Sequence, residues 1–277
     1  MEKYNYKSHV FGLVALFTMG NAAVAQPFYN RKNFLTVFIC TALFTLIFAM
    51  VLVPVVKFAL KRKKLRIIIT VLTAAVAVYG AASAAVEYIA FLQKNQLPRT
   101  SAALIIFSLV VLMGFVLFCK NHTVLKLGLL LAVITGAMLL LIFSVSINMF
   151  DLGELEFKIN FSKDALITSI RCFLKYFSSL FSAVVFVTVT LDNAQYVSVV
   201  GGTAMGLLGL LLCALQSVFV LGGAQYEFPY FYAVSAFSSG SLFTRLDGLV
   251  YFVFFATSIV KITVCLKAIK ATALTVR

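Results

Sequence analysis

Eight apolar runs joined by short polar links leave this chain little choice of solvent. They cover about Val10–Ala25, Phe34–Phe58, Ile67–Leu92, Ser101–Cys119, Val124–Met149, Phe177–Leu191, Val197–Gly223 and Leu246–Leu266. A helix needs roughly 20 apolar residues to cross a hydrocarbon core of about 30 Å, so eight crossings use most of the 277 residues and no separate soluble domain fits. A backbone in hydrocarbon must satisfy its own hydrogen bonds, and these runs are continuous rather than alternating, so they read as helices and not as barrel strands. The expected fold is all-α: a polytopic membrane protein of about eight transmembrane helices, one integral membrane domain over residues 1–277. Composition agrees, with 62% hydrophobic and 12% charged residues against about half and about a quarter in soluble domains. The surplus faces lipid.

The net charge of +14 follows from topology rather than from a nucleic-acid partner, because basic residues gather in cytoplasmic loops. With the N-terminus inside, 14 Lys and Arg fall on the cytoplasmic side and 9 on the other. The cluster Lys61-Arg62-Lys63-Lys64 weighs most. Both termini are therefore expected in the cytoplasm. The first run also has the form of a cleavable signal peptide, with Lys3 and Lys7 ahead of it and Ala23-Val24-Ala25 at its end. Residues 150–176 form the one long connection, extracytoplasmic in this topology. Its second half, Lys163–Tyr176, places Ala165, Ile167, Ile170, Phe173 and Leu174 toward one helical side, which suggests an interfacial helix turning into the sixth crossing.

Few groups carry chemistry. The five cysteines are scattered, with no C-x-x-C pair, so neither a disulfide framework nor a metal site is indicated. His9 and His122 stand apart, no phosphate-cradling or zinc-binding motif occurs, and no nucleophile has a base beside it. Neither an enzyme nor a cofactor is expected. Ionisable residues within apolar runs are costly and so are candidates for function. Glu87, in the alanine-rich third run, either faces a central cavity and meets a cation or ammonium group, or lies near the outer interface with Lys94. Lys261 is expected to snorkel to cytoplasmic headgroups. Asp247 suits the first turn of the last helix, and Arg245 calls for a carboxylate across the bundle, so both are structural or gating candidates. Gly202 and Gly206 form a G-x-x-x-G pair that favours close helix contact. Thr18-Met19-Gly20-Asn21 in the first run and Ser178-Ser179-Leu180-Phe181-Ser182 in the sixth are positions where broken helices of an inverted repeat would create a mid-membrane site; packing is the competing explanation.

Val218-Phe219-Val220-Leu221-Gly222, Phe228-Pro229, Ser239-Gly240, Phe243-Thr244-Arg245-Leu246-Asp247-Gly248-Leu249, Phe254 and Ile259-Val260-Lys261 resemble the seventh and eighth helices of the B subunits of spore-germination nutrient receptors. Those subunits belong to the amino acid–polyamine–organocation transporter superfamily. Phe11-Gly12-Leu13 through Leu16-Phe17-Thr18-Met19-Gly20-Asn21 is similar to that family's first helix. The resemblance implies a partial inverted-repeat, leucine-transporter-like fold and a retained first helix. It also implies a small nutrient, often an amino acid, bound where the first and sixth helices break. Gly20, Asn21, Ser178, Ser179 and Ser182 would line that site, with Glu87 on an ammonium group. Partner membrane and lipoprotein subunits in a bacterial cytoplasmic or spore inner membrane would complete the complex. The chain departs from the family in two ways: members usually carry two further helices, and a Phe-Gly-Glu-like element in the sixth helix is replaced by Phe181-Ser182-Ala183. Coupled transport and the usual ligand carboxylate are what these departures put in question. Two other readings are a structural or assembly protein without a ligand and an active secondary amino acid transporter.

Overall fold

The computed structural model describes residues 6–19, 34–95, 100–147, 150, 159, 161–191, 196–221, 228–237 and 246–276. They form α1 (Lys7–Met19), α2 (Phe34–Lys61), α3 (Lys63–Asn95), α4 (Ala102–Phe118), α5 (Asn121–Ser146), α6 (Lys163–Thr190), α7 (Tyr196–Leu221), α8 (Pro229–Phe237) and α9 (Leu246–Val276), with no strand among the described residues. Six of these, α2, α3, α5, α6, α7 and α9, are long and apolar enough to cross a membrane; α1 and α4 are shorter apolar helices. The protein is an all-α polytopic membrane protein whose outer side chains meet lipid.

Contacts between helices fix their directions. Along α1, Phe11 meets Gly201 and Gly202, Ala15 meets Gly206, and Met19 meets Gly209, so α7 runs parallel to α1. Gly12 and Leu13 meet Leu129 and Gly128, and Met19 shares a cavity with Thr135 and Met138, so α5 is parallel too. Between α3 and α9 the order reverses: Arg66 donates to the Thr275 carbonyl at 2.8 Å, Gly80 faces Cys265, and Phe91 packs on Tyr251. α2 and α6 are parallel, with Ser169 bonded to the Val37 carbonyl and Phe48 packed on Phe173 and Phe177. At the far end of α9, Lys267 bonds carbonyls at the C-terminus of α4. Hence α1, α3, α5 and α7 point one way and α2, α4, α6 and α9 the other, the alternation that eight successive crossings require. The ends carrying Lys61, Lys63, Lys64, Arg66, Lys120, Lys126 and Lys270 collect on one side of the bundle.

Small residues set which helices touch. Lipid is as apolar as leucine, so helices gain by close backbone approach rather than by hiding large side chains. The glycines of α7 do this against α1: a Cβ on Gly202 would lie 2.6 Å from the Phe11 carbonyl oxygen, and one on Gly206 would lie 2.8 Å from that of Ala15. Val10 and every residue from Gly12 to Met19 are consequently buried. On α3, the stripe Thr73, Ala77, Gly80 and Ala84 is buried, and Gly80 on it meets α9 and α6. Hydroxyls inside the bundle are largely satisfied by the carbonyl one turn back, as in Thr73, Ser182, Thr188, Thr203 and Thr263.

Two expectations are corrected here. The sixth crossing is not broken: α6 is one helix from Lys163 to Thr190, capped at its start by the Ser162 hydroxyl accepting from the Ala165 N–H at 3.1 Å. No glycine or proline interrupts it, and Ser182 returns its hydroxyl to the Ser178 carbonyl without disturbing the helix. Nor does Lys163–Tyr176 form a separate interfacial helix that turns into the crossing: it is the first half of the same continuous helix. Ala165, Ser169, Cys172 and Tyr176 are buried, while Ile167, Ile170 and Leu174 are exposed. Small side chains seat α6 on α2 and the large ones turn to lipid. From Ser178 to Thr188 the helix is enclosed on all sides.

Candidate functional site

Glu87 is half-buried on α3, three residues beyond Ala84. Both line a cavity with Leu16 and Phe17 of α1 and with Phe254, Thr257, Ser258 and Lys261 of α9. The α3–α9 register brings them together, because the antiparallel pair places Tyr88 on Phe254 and Gly80 on Cys265. Thr257 and Ser258 precede Lys261 by four and three residues and so share its helix face. Lys261 stands at the midpoint of α9, a helix of about 46 Å at 1.5 Å per residue. Its side chain lines the cavity wall, a placement that the expectation of snorkelling did not include. The cavity is about 10 Å³, room for on the order of one water.

The three serines occupy a neighbouring position. Ser178 lies against Gly80 and Cys265, where a glycine Cβ would come within 3.3 Å of its hydroxyl. Ser182 donates to the Ser178 carbonyl at 2.8 Å and lies beside the Cys265 thiol, which in turn feels the charge of Lys261. Ser179 is 1% exposed, and its hydroxyl has no hydrogen-bond partner among the described residues. One turn earlier, the Tyr176 hydroxyl is likewise buried without a partner among those residues, within electrostatic reach of Glu87. None of the three serines lines the Glu87–Lys261 cavity.

Of the other candidates, Gly20, Asn21 and Arg245 lie outside the described residues. Asp247 falls in the first turn of α9. Among the described residues, no three His, Cys, Asp or Glu side chains come together as a metal site. His122 stacks on Tyr6 at 4.9 Å, at the end of the bundle where α1 and α5 begin.

A second cavity escaped sequence reading. Met19, Thr135, Met138, Cys213, Tyr230 and Thr257 line it, drawn from α1, α5, α7, α8 and α9. It too is about 10 Å³, and Thr257 is common to both cavities. Nothing local in the sequence announced Thr135 or Tyr230, which helix packing brings together from distant segments. Compared with known proteins, the chain matches no family model, no curated protein and no solved structure.

Proposed function

We propose that this protein is a solute-binding membrane subunit, a transporter-like nutrient receptor that holds a small zwitterion such as an amino acid between Glu87 and Lys261. The observation that carries this reading is that a carboxylate side chain and a lysine line one cavity deep in the bundle, beside the end of α1. Opposite charges at low dielectric attract strongly but lose hydration. A bound zwitterion sets its ammonium on Glu87 and its carboxylate on Lys261, so that each charge lost from water gains an opposite one. Thr257 and Ser258 stand on the same wall. The cavity must widen to admit such a molecule, and the rim that α1 supplies, at Leu16 and Phe17, is where widening would begin.

The resemblance of residues 216–265 to germination-receptor subunits supports a place in a bacterial cytoplasmic or spore inner membrane, with other membrane and lipoprotein subunits as partners. The gathering of basic residues at one side supports cytoplasmic termini. Thermal unfolding of the full chain in nanodiscs, with and without each amino acid, tests the reading. Ligand at about a hundred times its Kd stabilises by about 2.7 kcal/mol, a rise of several degrees, and Glu87→Gln and Lys261→Met should each remove the rise. No shift with any amino acid would sink it. The second reading, an assembly subunit without ligand, is favoured by how tightly the cavities are closed; stable co-purifying partners together with no ligand response would establish it.

A further inference from the structure

The second cavity has the composition of a small-ligand pocket: mostly apolar walls with a few convergent polar groups. Its apolar side is Met19, Met138, Leu139, Val250 and Val253. Two of its polar groups are buried and, among the described residues, unsatisfied on one wall. Thr135 is 3% exposed and Tyr230 is 1% exposed, and neither hydroxyl has a partner among the described residues. Thr73, Thr188 and Thr263, by contrast, return their hydroxyls to the carbonyl one turn back in their own helices. A buried hydroxyl without a partner costs about 1–3 kcal/mol, so two of them on one cavity wall are a standing preference for whatever can satisfy both. The wall is also compliant, because Met19 and Met138 are unbranched and can refold around an occupant.

Thr257 separates this cavity from the one that Glu87 and Lys261 line. Thr257 is common to both linings, and its hydroxyl is engaged with the Phe254 carbonyl at 3.0 Å. We infer that the Thr135–Tyr230 cavity is the side-chain subsite of the ligand site, and that it selects neutral amino acids whose short side chain carries a hydroxyl. This rests on the reading that Glu87 and Lys261 hold the zwitterionic end. The side chain passes Thr257, its carbon atoms meet Met19 and Met138, and its hydroxyl donates to one of Thr135 and Tyr230 while accepting from the other. Charged side chains are excluded because no charged residue lines this cavity.

L-threonine and L-valine form the matched probe, being of nearly one shape and differing by a hydroxyl for a methyl. Their affinities are measured by calorimetry on the full chain in nanodiscs, for the native protein and for the double variant Thr135→Val, Tyr230→Phe. That variant removes two unpartnered hydroxyls and keeps their volume, so it folds with a melting temperature at or above the native one. The native protein should bind L-threonine at least about tenfold tighter than L-valine. In the double variant the ratio should fall to about one, with L-valine binding no weaker than before. Equal native affinities, or a preference that survives the double substitution, would overturn the subsite while leaving the zwitterion site standing. Binding of neither probe nor any other amino acid would remove the zwitterion site and the subsite together.

Discussion

Gly206 carries more of this fold than its size suggests. A side chain there would run into the Thr18 Cβ and come within 2.8 Å of the Ala15 carbonyl oxygen, and the latter is backbone that cannot swing aside. Gly206→Val should therefore force α7 away from α1 and lower stability by about 1–3 kcal/mol, as overpacking does. Gly136 on α5 is the control, because nothing stands within 4 Å of where its Cβ would go. Gly136→Ala should be silent or gain about 0.5–1 kcal/mol from helix propensity. Thermal unfolding of the two variants side by side checks the contrast; equal behaviour would mean that close approach of α1 and α7 is not what holds them. Gly202 and Gly206 were legible in the sequence as a contact motif, but the partner was not. A helix chosen by small residues on both sides has no large complementary side chain to announce it.

At the scale of one element, α4 shows how a peripheral helix is fastened. Only Ile105 and Leu109 of α4 are buried, and Phe107, Phe115 and Phe118 look outward. The last carbonyls of a helix have no partner within it, and Lys267 of α9 meets those of α4. The ammonium donates to the Cys119 carbonyl at 2.6 Å, to the Leu117 carbonyl at 3.3 Å and to Asn121 Oδ1 at 3.3 Å. A cation there also suits the negative end of the helix. Lys267→Met should cost about 1–3 kcal/mol and speed amide exchange at residues 117–124, while α7 is unaffected; unchanged exchange would show that the turn holds without its cap. Charge counting assigned Lys267 to a basic cytoplasmic set and could not see the cap, since its acceptors are backbone atoms some 150 residues away. The continuity of α6 was hidden for a related reason. Three hydroxyls in five residues look like a weak helix, yet in a bundle a serine can bond its own helix, and Ser182 does. The existence of the long helices, by contrast, was plain, because continuous apolar length is a property of the sequence itself; the short α8 was not foreseen.

The whole molecule has a topology that one native thiol can report. Cys119 is exposed, at the end where α4 finishes, whereas Cys40, Cys172, Cys213 and Cys265 are buried. The proposed orientation puts Cys119 in the cytoplasm. A membrane-impermeant maleimide added to intact cells should leave Cys119 unlabelled until the membrane is opened, and a cysteine placed at Thr100, the opposite end of α4, should label at once. The reverse pattern would invert the orientation. Glu87 and Lys261 were each conspicuous as charged residues in apolar runs, but only the antiparallel register of α3 and α9 sets them on one cavity. That register is a property of the assembled bundle.

The enclosure of α1 also constrains the order in which the protein can be made. This segment, about 20 Å long at 1.5 Å per residue, leaves the ribosome before α5 and α7, yet its seat is built by Gly128 and Leu129 and by Gly201 to Gly209. Until those later stretches have been synthesised and inserted, its finished surroundings do not exist. A nascent chain stalled before α7 thus holds α1 without the wall it is shaped to meet.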